Sequence, residues 1–295
     1  DDEYLTYKLY RAGTTEPIHT EVIRSRFWSK PAVTIVDTGL QPNSQAAYRV
    51  EASDGATTVA SYWTPYVTVR ATEPVYEEAA ALDGARPYWR MDEAAGTSAA
   101  DASGAGINGT YEGVSLGRPG VLADSTAAEF GPSSKLTSRN VLNNPQTFSM
   151  EGWIKTQTTG GGRILGFGNE ATNNSGNYDR HLYMRNDGRV NLGIYDGNTN
   201  VVTSQSALND GGWHHVVGTY SPGRMELFVD GVSQGTANVA AAQNYSGYWR
   251  VGADSLGGWP GQPSNAGFQG LVDEVAVYST ALSAGDVSWH YGLAS

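Results

Sequence analysis

The sequence of 295 residues contains no cysteine. That absence excludes a disulfide scaffold, a thiolate metal site and a cysteine nucleophile. It leaves the redox compartment open, because reducing and oxidising compartments both tolerate such chains. Charge is also scarce: Asp, Glu, Lys and Arg together make up 17% of the residues. Lys and Arg number 19 against 30 Asp and Glu, a net charge of -11. No dense basic face is available to phosphate, so a nucleic-acid partner is not expected. No apolar run approaches the roughly 18 residues of a membrane span, so membrane insertion is not expected either. The acidic, polar opening residues carry no signal-peptide pattern.

What is abundant points to strands. The chain holds 37 glycines, 17 tyrosines and 8 tryptophans among many Ser, Thr and Asn, a mixture that favours β-structure and tight turns over helices. The reading is all-β. The length accommodates one large or two modest domains, and two are expected.

Residues 5–10, LTYKLY, alternate apolar and polar side chains and break at Gly13. Further strands are expected at 33–36, 48–52 and 66–69. Between them DTGLQP at 37–42, followed by YRV at 48–50, resembles the leucine, proline and tyrosine-corner pattern of a fibronectin type III domain, in which the tyrosine hydroxyl bonds back to upstream backbone. The resemblance covers residues 1–72 and begins at that domain's third strand, without the two opening strands and their core tryptophan. A sandwich lacking two strands exposes a sheet face and an edge. The chain is therefore expected to belong to a longer multidomain protein.

PVYEEAAALDG at 74–84 has proline and acids at its start and glycine past its end, the asymmetry of a short helix, and places a helical linker at 73–84. From residue 85 to 295, short strands recur between glycine-rich turns, as an antiparallel sandwich requires. The clearest hairpin is LYMRNDGRVNLGI at 182–194, with Asp187-Gly188 at the turn. SAGD at 283–286 forms a capping box for a closing helix.

Five segments appear in order: YWRMDE at 88–93, FSMEGWI at 148–154, WHHVV at 213–217, LFVDG at 227–231 and GLVDEVAVY at 270–278. Together they resemble the laminin-G-like jelly roll of concanavalin type. The resemblance implies two stacked antiparallel sheets of about six or seven strands, and extracellular or cell-surface use as a glycan-binding, adhesion or spacer domain. Function must still be argued from the site.

Parity on the hairpin assigns the glycan candidates. With Leu182, Met184, Val190, Leu192 and Ile194 inward, His181, Tyr183, Arg185, Asn191 and Tyr195 face the other way. An exposed face of aromatics and planar polar groups suits sugar rings and hydroxyls, and Tyr178, Trp249 and Trp259 lie in segments able to close one side. The bland alternative is that these aromatics pack beneath loops. For metal, the loop DASGAGING at 101–109 concentrates oxygens that suit calcium. The resemblance matches Asp273 to this loop, giving Asp101, Ser103, Gly106, Asn108 and Asp273 as a structural calcium set. The alternative is an Asx turn in the loop and a solvated acid on an edge strand.

No catalytic residue is assigned. Adjacent His214 and His215 point to opposite faces of a strand, and one of them reads as a core histidine. Asp273-Glu274 likewise separates its acids by parity, and Glu151 has no acid two residues on, so the paired carboxyls of a glycosidase are missing. The expected function is a non-catalytic carbohydrate-binding or adhesion module with a glycan or surface-protein partner. A structural spacer or protein-interaction segment is the alternative, and glycoside hydrolysis the least favoured.

Overall fold

The computed structural model describes residues 3–25, 35, 37, 40, 44–68 and 75–294. The chain divides into two compact units, 1–75 and 76–295. Helix α1 (Tyr76–Leu82), placed by the sequence within a linker, belongs to the second unit, with Ala79 and Ala80 fully buried.

The first unit holds a four-stranded antiparallel sheet in the order His19–Ser25, Glu3–Arg11, Tyr48–Ser53, Thr58–Ala60, and a short pair, Gln45–Ala46 with Val67–Thr68. The strand expected at 33–36 and most of the turn at 37–42 lie outside the described residues. Among the described residues Tyr48 bonds a side chain and not upstream backbone. Its hydroxyl donates to the Asp37 carboxylate at 2.9 Å, and Asp37 is paired with Arg11 at 3.0 Å.

The second unit is a two-sheet antiparallel sandwich, with more strands than expected because several are short. Eight strands form one sheet, in the order Ser115–Pro119, Thr126–Phe130, Gly270–Tyr278, Phe148–Lys155, Trp213–Ser221, Arg224–Val229, Val232–Ala237, with Ala85–Trp89 also paired to Gly270–Tyr278. Nine form the other, in the order Thr199–Thr203, Val190–Tyr195, Tyr178–Met184, Gly162–Gly168, Ser246–Gly252, Lys135–Ser138, Gly109–Glu112, Ser98–Ala99, with Leu142–Asn143 also paired to Ser246–Gly252.

Alternation along each strand puts one side chain in two between the sheets. Phe148, Met150 and Ile154 of the first sheet meet Leu182, Leu192 and Trp249 of the second in one continuous core. The approach is close enough that a Cβ on Gly218 would come within 2.7 Å of Leu192. Sandwich cores of this kind are filled at crystal-like density, so glycine is needed at such a crossing.

At the hairpin Gly188 takes φ 81° while Arg185 N–H bonds Arg189 O at 2.8 Å, which fixes the register. The closing helix α2 (Ala284–Ala294) starts on the expected capping box: Asp286 N–H donates to Ser283 Oγ at 3.2 Å, and Ser283 N–H donates to the Asp286 carboxylate at 2.8 Å.

Candidate functional site

The hairpin obeys its parity. Leu182, Met184, Val190, Leu192 and Ile194 lie in the inter-sheet core, so His181, Tyr183 and Asn191 lie on the outer face of the nine-stranded sheet. That face is not open. His181, Tyr183 and Asn191 are at most 1% exposed, because the loop 254–264 roofs them. Tyr183 Oη donates to Pro260 O at 2.7 Å, Asn191 Nδ2 donates to the same carbonyl at 3.1 Å, and Tyr178 Oη donates to Gly257 O at 2.9 Å. Trp259 sits edge-on to His181 with ring centroids 4.2 Å apart. Period-2 patterning tells which way a side chain points and nothing about a loop that arrives about 70 residues later.

Trp249 leaves the ligand set altogether. It is buried between Phe148 and Phe167, at 5.6 and 5.0 Å, inside the core. Arg185 remains partly exposed, pairs with Asp187 at 3.1 Å, and lies against Gly261 of the roofing loop.

Asp254 anchors the base of that loop. Its carboxylate meets Arg163 at 2.7 Å and Arg250 at 3.1 Å, all three side chains fully buried, and accepts from Ser175 N and Oγ and from Ser255 N. Burial would raise its pKa, but the two guanidiniums and these hydrogen bonds hold it below the usual carboxylate range. Arg250 also donates to the carbonyls of Glu170 and Asn173. One acid thus ties two loops to the sheet.

Where the roof ends, a cleft of about 350 Å³ opens, lined by Tyr178, Tyr195, Trp259, Thr199, Gln243 and the backbone of Gly176, Gly257 and Gly258. The structure therefore brings Tyr178, Tyr195 and Trp259 together as the sequence suggested. It adds Thr199 and Gln243, for which the sequence carried no signal. Among these lining residues none is ionisable at neutral pH; Tyr178 and Tyr195 are half-buried and offer ring surface, while Trp259, 5% exposed, forms the wall behind them. A larger depression of about 700 Å³ lies at the other end of the strand Gly162–Gly168, around Thr158, Gly160, Gly211, Asn265 and Gln269. No aromatic residue lines it, so it offers no stacking surface to a sugar ring.

The five calcium candidates fall into two separately hydrogen-bonded sets. Asp101 Oδ1 accepts from Tyr88 N, Ser103 N and Ser103 Oγ, and Oδ2 accepts from Ile107 N at 2.8 Å. Burial alone would raise the Asp101 pKa, but the Ser103 hydroxyl and the backbone amides hold it down. Asn108 Oδ1 accepts from Asp101 N, and Gly106 supplies the turn at φ 74°. The loop is a self-bonded Asx turn. Asp273 accepts instead from Val121 N, Ser125 Oγ and Glu274 N, and shares no bonding partner with Asp101.

Among the described residues no group of three acidic or histidine side chains is placed to hold a metal. A cation at a hundred times its Kd adds about 2.7 kcal/mol, roughly 5 to 10 °C in a unit of this size. On this geometry, melts in EGTA and in calcium are expected to coincide, and a drop of that size in EGTA would restore the calcium reading.

The oxygen-bearing residues in the loops beside the hairpin are engaged in local bonds. Asn169 Oδ1 accepts from Gly176 and Asn177, Asp196 caps its own turn, and Asp179 is buried against Arg180 and Tyr245.

Asp273 and Glu274 depart from simple parity. Glu274 takes φ 48° at a register shift against Phe148–Lys155, so the strand bulges where alternation had separated the two acids. Burial pushes Asp273 up to about 7 and Glu274 to about 8, the latter helped by the Asp273 charge.

Glu151, the lone acid of the second motif, is a structural hub. It is fully buried and accepts from Tyr76 Oη at 2.7 Å, Tyr278 Oη at 2.5 Å, His215 Nε2 at 2.7 Å and His290 Nδ1 at 3.0 Å. His290 Nε2 reaches Asp83 at 3.0 Å. His215 is thus the core histidine of the pair, while His214 bonds Asp230 and Asp210. Burial opposes the Glu151 charge, but His290 and His215 hold its pKa well below the ordinary value. His290 is pushed up to about 10, burial being outweighed by Glu151 and Asp83.

Two stacked antiparallel sheets with a loop-roofed outer face and an aromatic cleft define a lectin-like β-sandwich. The chain belongs to the concanavalin A-like lectin/glucanases superfamily, whose laminin-G-type family matches residues 130–288, more than half of the chain. No curated protein sequence matches it.

Among solved structures it is similar to domain 4 of AbnA, a GH43 extracellular arabinanase from Geobacillus stearothermophilus, in complex with arabinotriose. The TM-score is 0.51 at 17% identity, covering 70% of this chain and 97% of that domain. It is also similar to the binding domain of botulinum neurotoxin DC in complex with rat synaptotagmin II, with a TM-score of 0.53 at 12% identity, covering 72% of this chain and 52% of the other. The likeness thus spans about half of the neurotoxin domain. At these identities the likeness concerns the fold.

Proposed function

We propose that the second unit is a non-catalytic carbohydrate-binding module and that the glycan lies in the cleft between Tyr178, Tyr195 and Trp259. The carrying observation is the cleft itself: the partly exposed rings of Tyr178 and Tyr195, with the buried Trp259 as its wall, beside the amide of Gln243, the hydroxyl of Thr199 and glycine backbone. Apolar sugar faces stack on aromatics while neutral polar groups take the hydroxyls. The arabinotriose bound to the arabinanase domain supports the reading, and that domain's extracellular setting supports placing this chain outside the cell or on its surface. The first unit is read as a fibronectin type III-like domain. Absence of catalysis is favoured by Glu151 having both oxygens engaged by tyrosine and histidine donors.

The experiment is affinity electrophoresis of the chain through gels containing arabinan, xylan, galactan or mixed-linkage glucan. Retardation by at least one is expected. Tyr195→Ala should weaken it about tenfold, a loss of about 1.4 kcal/mol. Because Tyr195 is only half-buried, the melting midpoint should shift by no more than a few degrees. Unchanged retardation, or a large fall in midpoint with binding intact, would make Tyr195 a packing residue.

A second reading, protein recognition, draws on Tyr62, Trp63 and Tyr66, which are 97%, 45% and 64% exposed in the first unit. The synaptotagmin complex of the neurotoxin domain points the same way. Silence across the four polysaccharides together with capture of a protein ligand would favour it.

A further inference from the structure

Beneath Trp259 the sheet carries a glycine row that leaves room for a ring. Three strands present Gly166, His181 and Gly193 in one cross-strand row. A Cβ on Gly193 would stand 2.7 Å from the Trp259 ring and 2.9 Å from His181 Cδ2, and one on Gly166 would stand 2.5 Å from His181 Cβ and 3.2 Å from Arg163 Nε. Glycine on both sides leaves a flat seat around the imidazole.

The seat is polar and unsatisfied by the protein. Both ring nitrogens of His181, Oδ1 of Asn191 and Nε of Arg163 are buried without a protein hydrogen-bond partner. Buried polar groups are nearly always bonded, so each such orphan calls for an explanation. The chemistry of the set is mixed. Burial and the neighbouring Arg163 charge keep His181 neutral, so one nitrogen donates and the other accepts. Arg163 Nε adds a donor and Asn191 Oδ1 an acceptor. An anion requires donors alone and a cation acceptors alone. Hydroxyl groups, which do both, complement two donors and two acceptors. The guanidinium charge of Arg163 is already directed at Asp254 and the Gly166 carbonyl.

We infer that the loop 256–263 is a lid, with Trp259 as its plug, over an inner subsite for a neutral sugar on the Gly166–His181–Gly193 row. This rests on the cleft being a glycan site, since Trp259 forms the wall between the two. The bonds that keep the lid closed are those from Tyr183, Asn191 and Tyr178 to its carbonyls. Sugar hydroxyls can take over the same three donors. Gly257, Gly258 and Gly261 flank Trp259, and the last two hold φ 83° and 66°, so the lid turns about residues without side chains. A sugar entering from the cleft displaces the indole, lays a ring face on the glycine row and bonds the four orphan atoms.

The test uses the full chain and reads imidazole, indole and tyrosine ring signals by NMR, assigned by triple-resonance experiments on the unaltered chain. The probes are the neutral trisaccharides of arabinose, xylose, mannose, glucose and galactose, and trigalacturonate as the charged counterpart. At least one neutral trisaccharide is expected to shift the His181 and Trp259 signals together, and His181→Gln is expected to bind it at least tenfold more weakly. The primary readout is on the unaltered chain, so a variant that fails to fold leaves it standing. If a neutral trisaccharide moves the tyrosine signals of the cleft while His181 stays put, the orphan atoms hold enclosed water only and the lid is overturned, with the cleft reading intact. A His181 response to trigalacturonate alone overturns the neutral class. No response to any probe overturns the inner subsite and the cleft reading together.

Discussion

Replacing Glu151 with alanine lowers the melting midpoint of the second unit by roughly 6 to 20 °C, from a loss of about 3 to 5 kcal/mol for breaking a buried ion pair by removing one partner. The cause is what the carboxylate leaves behind. Tyr76, Tyr278, His215 and His290 all direct a donor at it, and in alanine's place those donors are left buried, with only His290 keeping a second partner in Asp83. Differential scanning calorimetry checks this, and a shift of a degree or two would show that the hub is dispensable.

The same group fixes a pH profile. The folded-state pKa of Glu151 is depressed, so its contribution is complete above the ordinary value of 4.5 and is lost as pH falls toward the folded value. The folded-state pKa of His290 is raised to about 10, so its contribution is complete below the ordinary value of 6.5 and is lost as pH climbs toward 10. Both are complete between about 4.5 and 6.5. The difference in midpoint between the unaltered chain and Glu151→Gln should therefore plateau there and shrink on either side. The midpoint of both should decline as pH rises toward the raised values of about 7 for Asp273 and about 8 for Glu274.

Asp254→Asn is the second large effect, about 3 to 5 kcal/mol by the same reasoning. It leaves Arg163 and Arg250, both fully buried, with no carboxylate between them. The two large variants separate by function. Asp254 ties the loop around Ser175 and the roofing loop to the sheet, so its loss should weaken glycan retardation as well as stability. Glu151 lies beneath the helices on the other sheet, and its loss should leave retardation intact at temperatures where the variant is folded. Equal losses of binding in both variants would mean that the cleft responds to overall stability and not to its anchor.

The sandwich itself was readable because strand patterning is local: alternation in residues 182–194 put the right five side chains in the core, and Ser283 with Asp286 announced the last helix. What failed was whatever depends on distant chain. Trp249 and Tyr178 look alike in sequence, yet one fills the core and the other lines the cleft, because only the register of their strands decides. His181 and Tyr183 pointed as parity required and were still covered, since the roof comes from residues 254–264. The oxygens of the Asp101 loop serve turn hydrogen bonds, a use that composition does not separate from cation binding. Asp254 carried no sequence signature at all, its role arising from two arginines that meet only in the folded sheet.

The pairing of Ala85–Trp89 with Gly270–Tyr278 sets Ala85 opposite Tyr278, and His290 of α2 reaches Asp83 just after α1. Entry and exit of the second unit are therefore neighbours. Tension drawn through the flanking chain would not shear the sheets lengthwise but would pull at one corner, where antiparallel strands peel apart bond by bond. What stands in the way at that corner is the two helices locked onto Glu151, so the buried carboxylate that sets thermal stability also acts as the latch against mechanical unzipping.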